Sequence, residues 1–154
     1  MSFFKRENRY VLDSSSILDG RIFHLFGKRY FEGKVIVPQF VRAVVEKVIG
    51  PDTASLIQSL GKGSSVELFA DKCSGSIEEI CVLKVAEKKK ATVFTASDEL
   101  CRHAKEHPSV RIIDVRDLYR ALTPIFTPDR MISVRILKKG LRANEGIGYI
   151  EGVK

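Results

Sequence analysis

The chain has 154 residues, 44% of them hydrophobic and 29% charged, which suits one globular domain with a short appendage and excludes a disordered or fibrous chain. Its formal charge of +7 points to a polyanionic partner, while no apolar run reaches the length of a membrane span and the start Met1-Ser-Phe-Phe-Lys-Arg6 lacks a secretory apolar core. Cys73, Cys81 and Cys101, odd in number and without metal-ligand spacing, read as reduced thiols of a cytoplasmic protein, with Cys81 in the core.

Taken in chain order, Tyr10-Val-Leu12 reads as a buried parallel strand, followed by Asp13 and by Ser14 to Ser16 as the cap region of a helix. Four more apolar runs read as strands: Lys34 to Val37, Ser65 to Phe69, Thr92 to Thr95, and Val110 to Ile113. Pro38 suits the first turn of a helix running to about Ile49, where Gly50-Pro51 stops it. Asp52 opens a short helix through Leu60. Ser76 precedes a longer one whose Ile77, Ile80, Leu83, Val85 and Ala86 fall mostly on one stripe, and which ends in three lysines. Ser97 begins a helix through Ala104, and Asp114 caps the last one, through Leu122. Strands alternating with helices in this way imply an α/β domain with a parallel sheet of four to five strands and helices on both faces. Beyond it, 123–130 is a proline-marked linker. Met131 to Leu137 alternates like a half-exposed strand, Lys138 to Arg142 reads as a basic turn, and Gly146 to Ile150 as the partner strand of a hairpin-like tail. The expected division is therefore 1–122, 123–130 and 131–154.

In open parallel sheets, ligands bind beyond the carboxyl ends of the strands. Asp13 follows the first strand, Glu46 lies in the helix after the second, Glu78 and Glu79 open the helix before the fourth, and Asp98 comes just after the fourth. Carboxylates brought together repel unless a cation neutralises them, and an oxygen-rich site of this kind suits Mg²⁺ or Mn²⁺. Each acid also has a plain structural role open to it: a cap for Asp13 and Asp98, a dipole partner for Glu78 and Glu79, a solvated helix acid for Glu46.

The stretches Val11-Leu-Asp-Ser-Ser-Ser-Ile-Leu-Asp-Gly-Arg-Ile22, Gly33-Lys-Val-Ile-Val-Pro-Gln-Phe-Val41, Thr92-Val-Phe-Thr-Ala-Ser-Asp-Glu-Leu100 and Asp117-Leu-Tyr-Arg-Ala-Leu-Thr-Pro124 resemble the PIN-domain family, bacterial PIN-TRAM type. The tail, Met131 to Glu151, resembles the opening of a TRAM module. The resemblance implies a flavodoxin-like fold and a Mg²⁺- or Mn²⁺-dependent nuclease acting mainly on single-stranded RNA, with structured DNA as a second substrate. It implies catalytic roles for Asp13, Glu79 and Asp98, a metal held by Asp13, Glu46, Glu79 and Asp98, and support from Ser15, Asp19, Glu78 and Ser97. The match is uneven. The family's second acid falls at Val44, which cannot ligate, and the fourth at Ser97, one residue before Asp98.

Arg21, Lys28, Arg29 and Lys34, with Lys138, Lys139 and Arg142 in the tail, are candidate phosphate contacts. Two other readings stay open. One is a degenerate PIN domain that binds nucleic acid or a partner protein without cleavage. The other is a receiver-like domain, for which Thr95 fits but the adjacent acid pair and the late lysine are missing. A homodimer is the default expectation from the resemblance.

Overall fold

The runs of β-branched and aromatic residues form strands in a computed structural model that describes residues 7–61, 64–71, 73–122, 131, 136–140 and 142–148. The strands are β1 (Arg9–Leu12), β2 (Lys34–Pro38), β3 (Ser65–Phe69), β4 (Thr92–Thr95) and β5 (Ile112–Asp114). They make one all-parallel sheet in the order β3-β2-β1-β4-β5, with Tyr10 of β1 opposite both Val35 and Thr92. Val11, Leu12, Val35, Ile36, Val37, Val93 and Phe94 have no exposed surface, as expected of strands covered on both faces. The helices are α1 (Ser14–Asp19), α2 (Arg21–Gly27), α3 (Gln39–Ile49), α4 (Thr53–Ser59), α5 (Glu78–Lys89), α6 (Asp98–His103) and α7 (Val115–Leu122). The α/β class and the parallel sheet agree with the sequence reading.

Three local differences have physical reasons. The single helix expected after Asp13 is two, because Gly20 takes φ +87 and ends α1 with a left-handed cap before α2 starts. Pro38 closes β2 instead of opening a helix, since its φ of −61 and ψ of 145 are extended. The fifth strand begins at Ile112 and ends at Asp114, so this acid is the last strand residue before α7. The reduced-thiol expectation is also corrected: Cys73 and Cys81 form a disulfide, with Cα atoms 5.7 Å apart, and Cys101 is free.

An aromatic cluster fills one side of the core. Tyr10 meets Phe26 and Phe31 edge-on at 5.8 and 5.9 Å and Phe94 at 5.3 Å. It joins β1, α2, the segment before β2, and β4.

The chain divides into two compact units, Met1–Leu118 and Tyr119–Lys154. In the second, β6 (Ile136–Lys139) pairs antiparallel with β7 (Gly146–Gly148). Lys138 and Lys139 thus lie in a strand, and the turn begins after them, closed by the Gly140 amide on the Glu145 carbonyl at 2.9 Å. The linker expected at 123–130 lies outside the described residues. No helix among the described residues is long and apolar enough to cross a membrane.

Candidate functional site

Asp13 follows β1 at the point where the strand order reverses, between β1 and β4, and is only 2% exposed. It caps α1: its Oδ1 accepts the Ser16 amide at 2.8 Å. Its Oδ2 accepts the Ser15 hydroxyl at 2.7 Å and the Thr95 hydroxyl at 2.5 Å, so one carboxylate ties the ends of two neighbouring strands. Both hydroxyls are themselves held. The Ala96 amide donates to Ser15 Oγ at 2.9 Å, and the Ser97 amide to Thr95 Oγ1 at 3.0 Å. Ser15, which the resemblance implies as a support of the site, is one of the two hydroxyls on Asp13. Thr95 is the residue bonded to Asp13 that the sequence reading leaves aside, having weighed it only for the receiver-like alternative.

Glu78, the first residue of α5, faces the same place. Its Oε1 accepts the Ser14 amide at 2.8 Å and its Oε2 the Ser14 hydroxyl at 2.9 Å. Burial raises the Asp13 carboxyl above its ordinary value, against the lowering pull of its hydrogen bonds from Thr95, Ser16 and Ser15. Burial likewise raises Glu78, opposed by the bonds from Ser14 and reinforced by the charges of Asp13 and Glu79. These are two carboxylates whose ionised forms are disfavoured and which repel each other.

The remaining expected acids do not join them. Among the described residues, no group of three or more His, Cys, Asp or Glu side chains is placed to hold a metal ion, so the pocket of Asp13, Glu46, Glu79 and Asp98 is not assembled. Glu79 is half-buried but turned about 100° around the helix from Glu78. Glu46 is exposed on α3, two positions from Val44, which is itself 37% exposed. The Asp98 side chain is 81% exposed and is drawn to Arg116 Nη2 at 2.5 Å. Ser97 caps α6 through the Leu100 amide at 3.2 Å, and Asp19 is engaged by Arg21 at 3.6 Å.

Asp13 and Glu78 nevertheless offer hard oxygen donors, with lone pairs beyond those already used, and neither is bonded to a cationic side chain among the described residues. Mg²⁺ commonly takes one or two carboxylates and completes its shell with water. The donor set fits one such ion. The sign of the pH effect follows. A carboxyl raised in the folded state contributes stability that is full below its unfolded value and is lost as pH rises through the folded one. Asp114 and Glu67, lowered by Arg116 and by Lys34 with Lys89, run the other way and lose their contribution as pH falls. Thermal melts in chelator should therefore show wild type losing stability relative to Asp13→Asn as pH climbs above about 4. A gap that stays constant with pH would contradict this.

The basic candidates are dispersed. Arg21 opens α2. Lys28 and Arg29 follow α2, and Lys34 is the first residue of β2, held by Glu67 at 2.5 Å; this is the amino edge of the sheet, opposite the acids. Lys139 and Arg142 are exposed in the second unit, where Arg142 lies 3.7 Å from Glu145, and Lys138 pairs in register with Ile147. A cavity of about 540 Å³ also opens at the amino edge, among Arg9, Tyr10, Lys90 and Arg111. Its size does not make it the reaction site, since none of the acids that interact with Asp13 lines it.

No family model matches the chain. It is 30% identical, over 92% of its own length, to an uncharacterized PIN and TRAM-domain containing protein of Synechocystis sp., and 24% identical over 92% to another, YacL, of Bacillus subtilis. A third, of Thermus thermophilus, is 24% identical, again over 92% of this chain. The chain spans less than half the length of these relatives: 43%, 42% and 45%. Among solved structures, a PilT N-terminus domain protein of Sulfolobus solfataricus superposes on 77% of this chain and 98% of its own, with TM-score 0.53 and 19% identity. A domain of a functionally unknown protein from Methanocaldococcus jannaschii covers 82% and 99%, with TM-score 0.57 and 16% identity. Both likenesses concern the fold.

Proposed function

As a member of the PIN-domain family, in its PIN-TRAM branch, this chain is, we propose, a metal-dependent nuclease that hydrolyses phosphodiester bonds, with single-stranded RNA ahead of DNA as substrate. The observation that carries the proposal is the buried Asp13 carboxylate at the reversal point of the sheet, hydrogen-bonded across to Thr95 and facing Glu78, with no cationic side chain bonded to either acid among the described residues. Asp13 and Glu78 would hold one Mg²⁺ or Mn²⁺. Such an ion supplies a water of lowered pKa and a charge that clamps the scissile phosphate. The chain's own part is positional. Ser15 and Thr95 fix the Asp13 carboxylate, and Ser14 fixes that of Glu78. Burial keeps competing water from Asp13. Residues 1–122 are proposed as the PIN-like domain and 131–154 as the opening of a TRAM-like segment, joined by 123–130, with a cytoplasmic homodimer as the working state.

Incubation of mixed single-stranded RNA and DNA with Mn²⁺, with chelator, and with Asp13→Asn tests this. Cleavage confined to the wild type with Mn²⁺ supports it; no cleavage by the wild type rejects the enzyme.

A binding-only domain is the second reading, favoured by Val44 at the position of the family's second acid and by Asp98 being held on Arg116. Val44 is 37% exposed, so Val44→Glu would not bury a charge in the core. This variant is expected to fold, to tighten Mn²⁺ binding by roughly threefold to tenfold, and to raise any Mn²⁺-dependent cleavage. Calorimetric titration and circular dichroism check it. A folded variant with no gain in affinity favours the binding-only domain.

A further inference from the structure

Arg116 is a cation in the first turn of α7, where the helix dipole disfavours positive charge. It is retained by carboxylates. Nε and Nη2 grip Asp114 at 3.0 and 2.7 Å, and Nη2 also meets Asp98 at 2.5 Å. That grip fixes the plane of the guanidinium. Its Nη1 end makes no hydrogen bond or ion pair among the described residues, and the side chain is 30% exposed. Arg116 follows β5 at the carboxyl edge of the sheet, and Asp98, which it meets, follows β4, the strand beside β1. The guanidinium therefore stands at the same edge of the sheet as the buried acid, with β4 between them. Of the four basic residues expected to meet phosphate in this unit, Lys28, Arg29 and Lys34 stand at the opposite edge, and Arg21 opens α2.

The geometry points to Arg116 as the residue that grips a nucleic-acid phosphate beside the Asp13–Glu78 site, an inference that rests on the nuclease reading above. A planar fork already oriented by one carboxylate presents its remaining edge to a phosphate oxygen with little further loss of side-chain freedom. Asp98 competes for the same guanidinium. Its release would give the phosphate a second donor, so Arg116 is a positioning residue whose strength Asp98 holds down.

The test uses the full chain, in chelator, with a fluorescent single-stranded RNA oligonucleotide titrated over a range of salt. Arg116→Gln should weaken binding about threefold to tenfold at low salt and flatten the dependence of log K on log salt by about one. Arg116→Lys, which keeps the charge without the fork, should keep the slope and lose part of the affinity. Asp98→Asn, which frees the guanidinium, should bind more tightly than wild type. Mn²⁺ titration of Arg116→Gln should be no weaker than that of wild type, because a cation has been removed from beside the acids. Unchanged affinity and slope in Arg116→Gln overturn the inference. So does a joint loss of Mn²⁺ binding and melting temperature, which would mark a clamp that only holds α6 to β5, and so does weaker binding by Asp98→Asn. A wild type that binds no oligonucleotide in chelator overturns the inference, while the nuclease reading stands or falls separately on Mn²⁺-dependent cleavage; a binding wild type with an indifferent Arg116→Gln removes the inference alone.

Discussion

Asp13→Asn is expected to abolish divalent-metal binding while the protein stays folded, with a melting temperature in chelator equal to or above that of wild type. The carboxylate is 2% exposed and its ionised form is disfavoured by burial, so removing the charge relieves the folded state. The relief should appear as about 2–4 °C of melting temperature for each kcal/mol recovered. Asparagine can still accept the Ser16 amide and remains a good cap. The Ser15 and Thr95 hydroxyls must turn to accept its amide, which hydroxyls can do. Metal affinity should fall by roughly 100-fold or more, since even the partners of a ligand commonly matter tenfold to 100-fold. A variant that binds Mn²⁺ like wild type, by calorimetry, would remove Asp13 from the site.

Glu78→Gln should lower Mn²⁺ affinity by roughly tenfold to 100-fold, and Glu79→Gln by no more than about threefold. Glu78 is the acid that bonds Ser14 through both oxygens and whose charge meets that of Asp13. Glutamine can keep one of those bonds as an acceptor and offer its amide to the Ser14 hydroxyl, so loss of fold is not expected. The two variants measured side by side decide which neighbour faces the ion. The reverse order would return the role to Glu79, where the family resemblance puts it.

The sheet was legible because its strands are short apolar runs between turn signals, and Val11, Ile36 and Phe94 have no alternative to burial. Asp13 was legible for the same reason, as a charge placed directly after such a run. The choice between Glu78 and Glu79 was not, since adjacent helix residues differ by about 100° and only the packed helix sets the rotation. Arg116 escaped notice because a charge beside Asp117 in an amphipathic helix reads as solvated surface; its partners, Asp98 and Asp114, lie on two other elements. The break at Gly20 turns on one dihedral angle, and the pairing of Cys73 with Cys81 on how the approach to α5 bends. Neither is encoded in hydrophobic periodicity.

The cluster of Tyr10, Phe26, Phe31 and Phe94 has an optical consequence. The chain contains no tryptophan and only four tyrosines, so its near-ultraviolet signal comes from few chromophores. Tyr10 is the buried tyrosine among the described residues, held in an asymmetric setting by phenylalanine rings at 5.3 to 5.9 Å. It lies on β1, three residues before Asp13, and Phe94 lies on β4, next to Thr95. The ellipticity of this ring therefore reports whether β1 and β4 are side by side, the same condition that brings the Thr95 hydroxyl to the Asp13 carboxylate. Loss of the tyrosine band on heating marks the temperature at which the site comes apart.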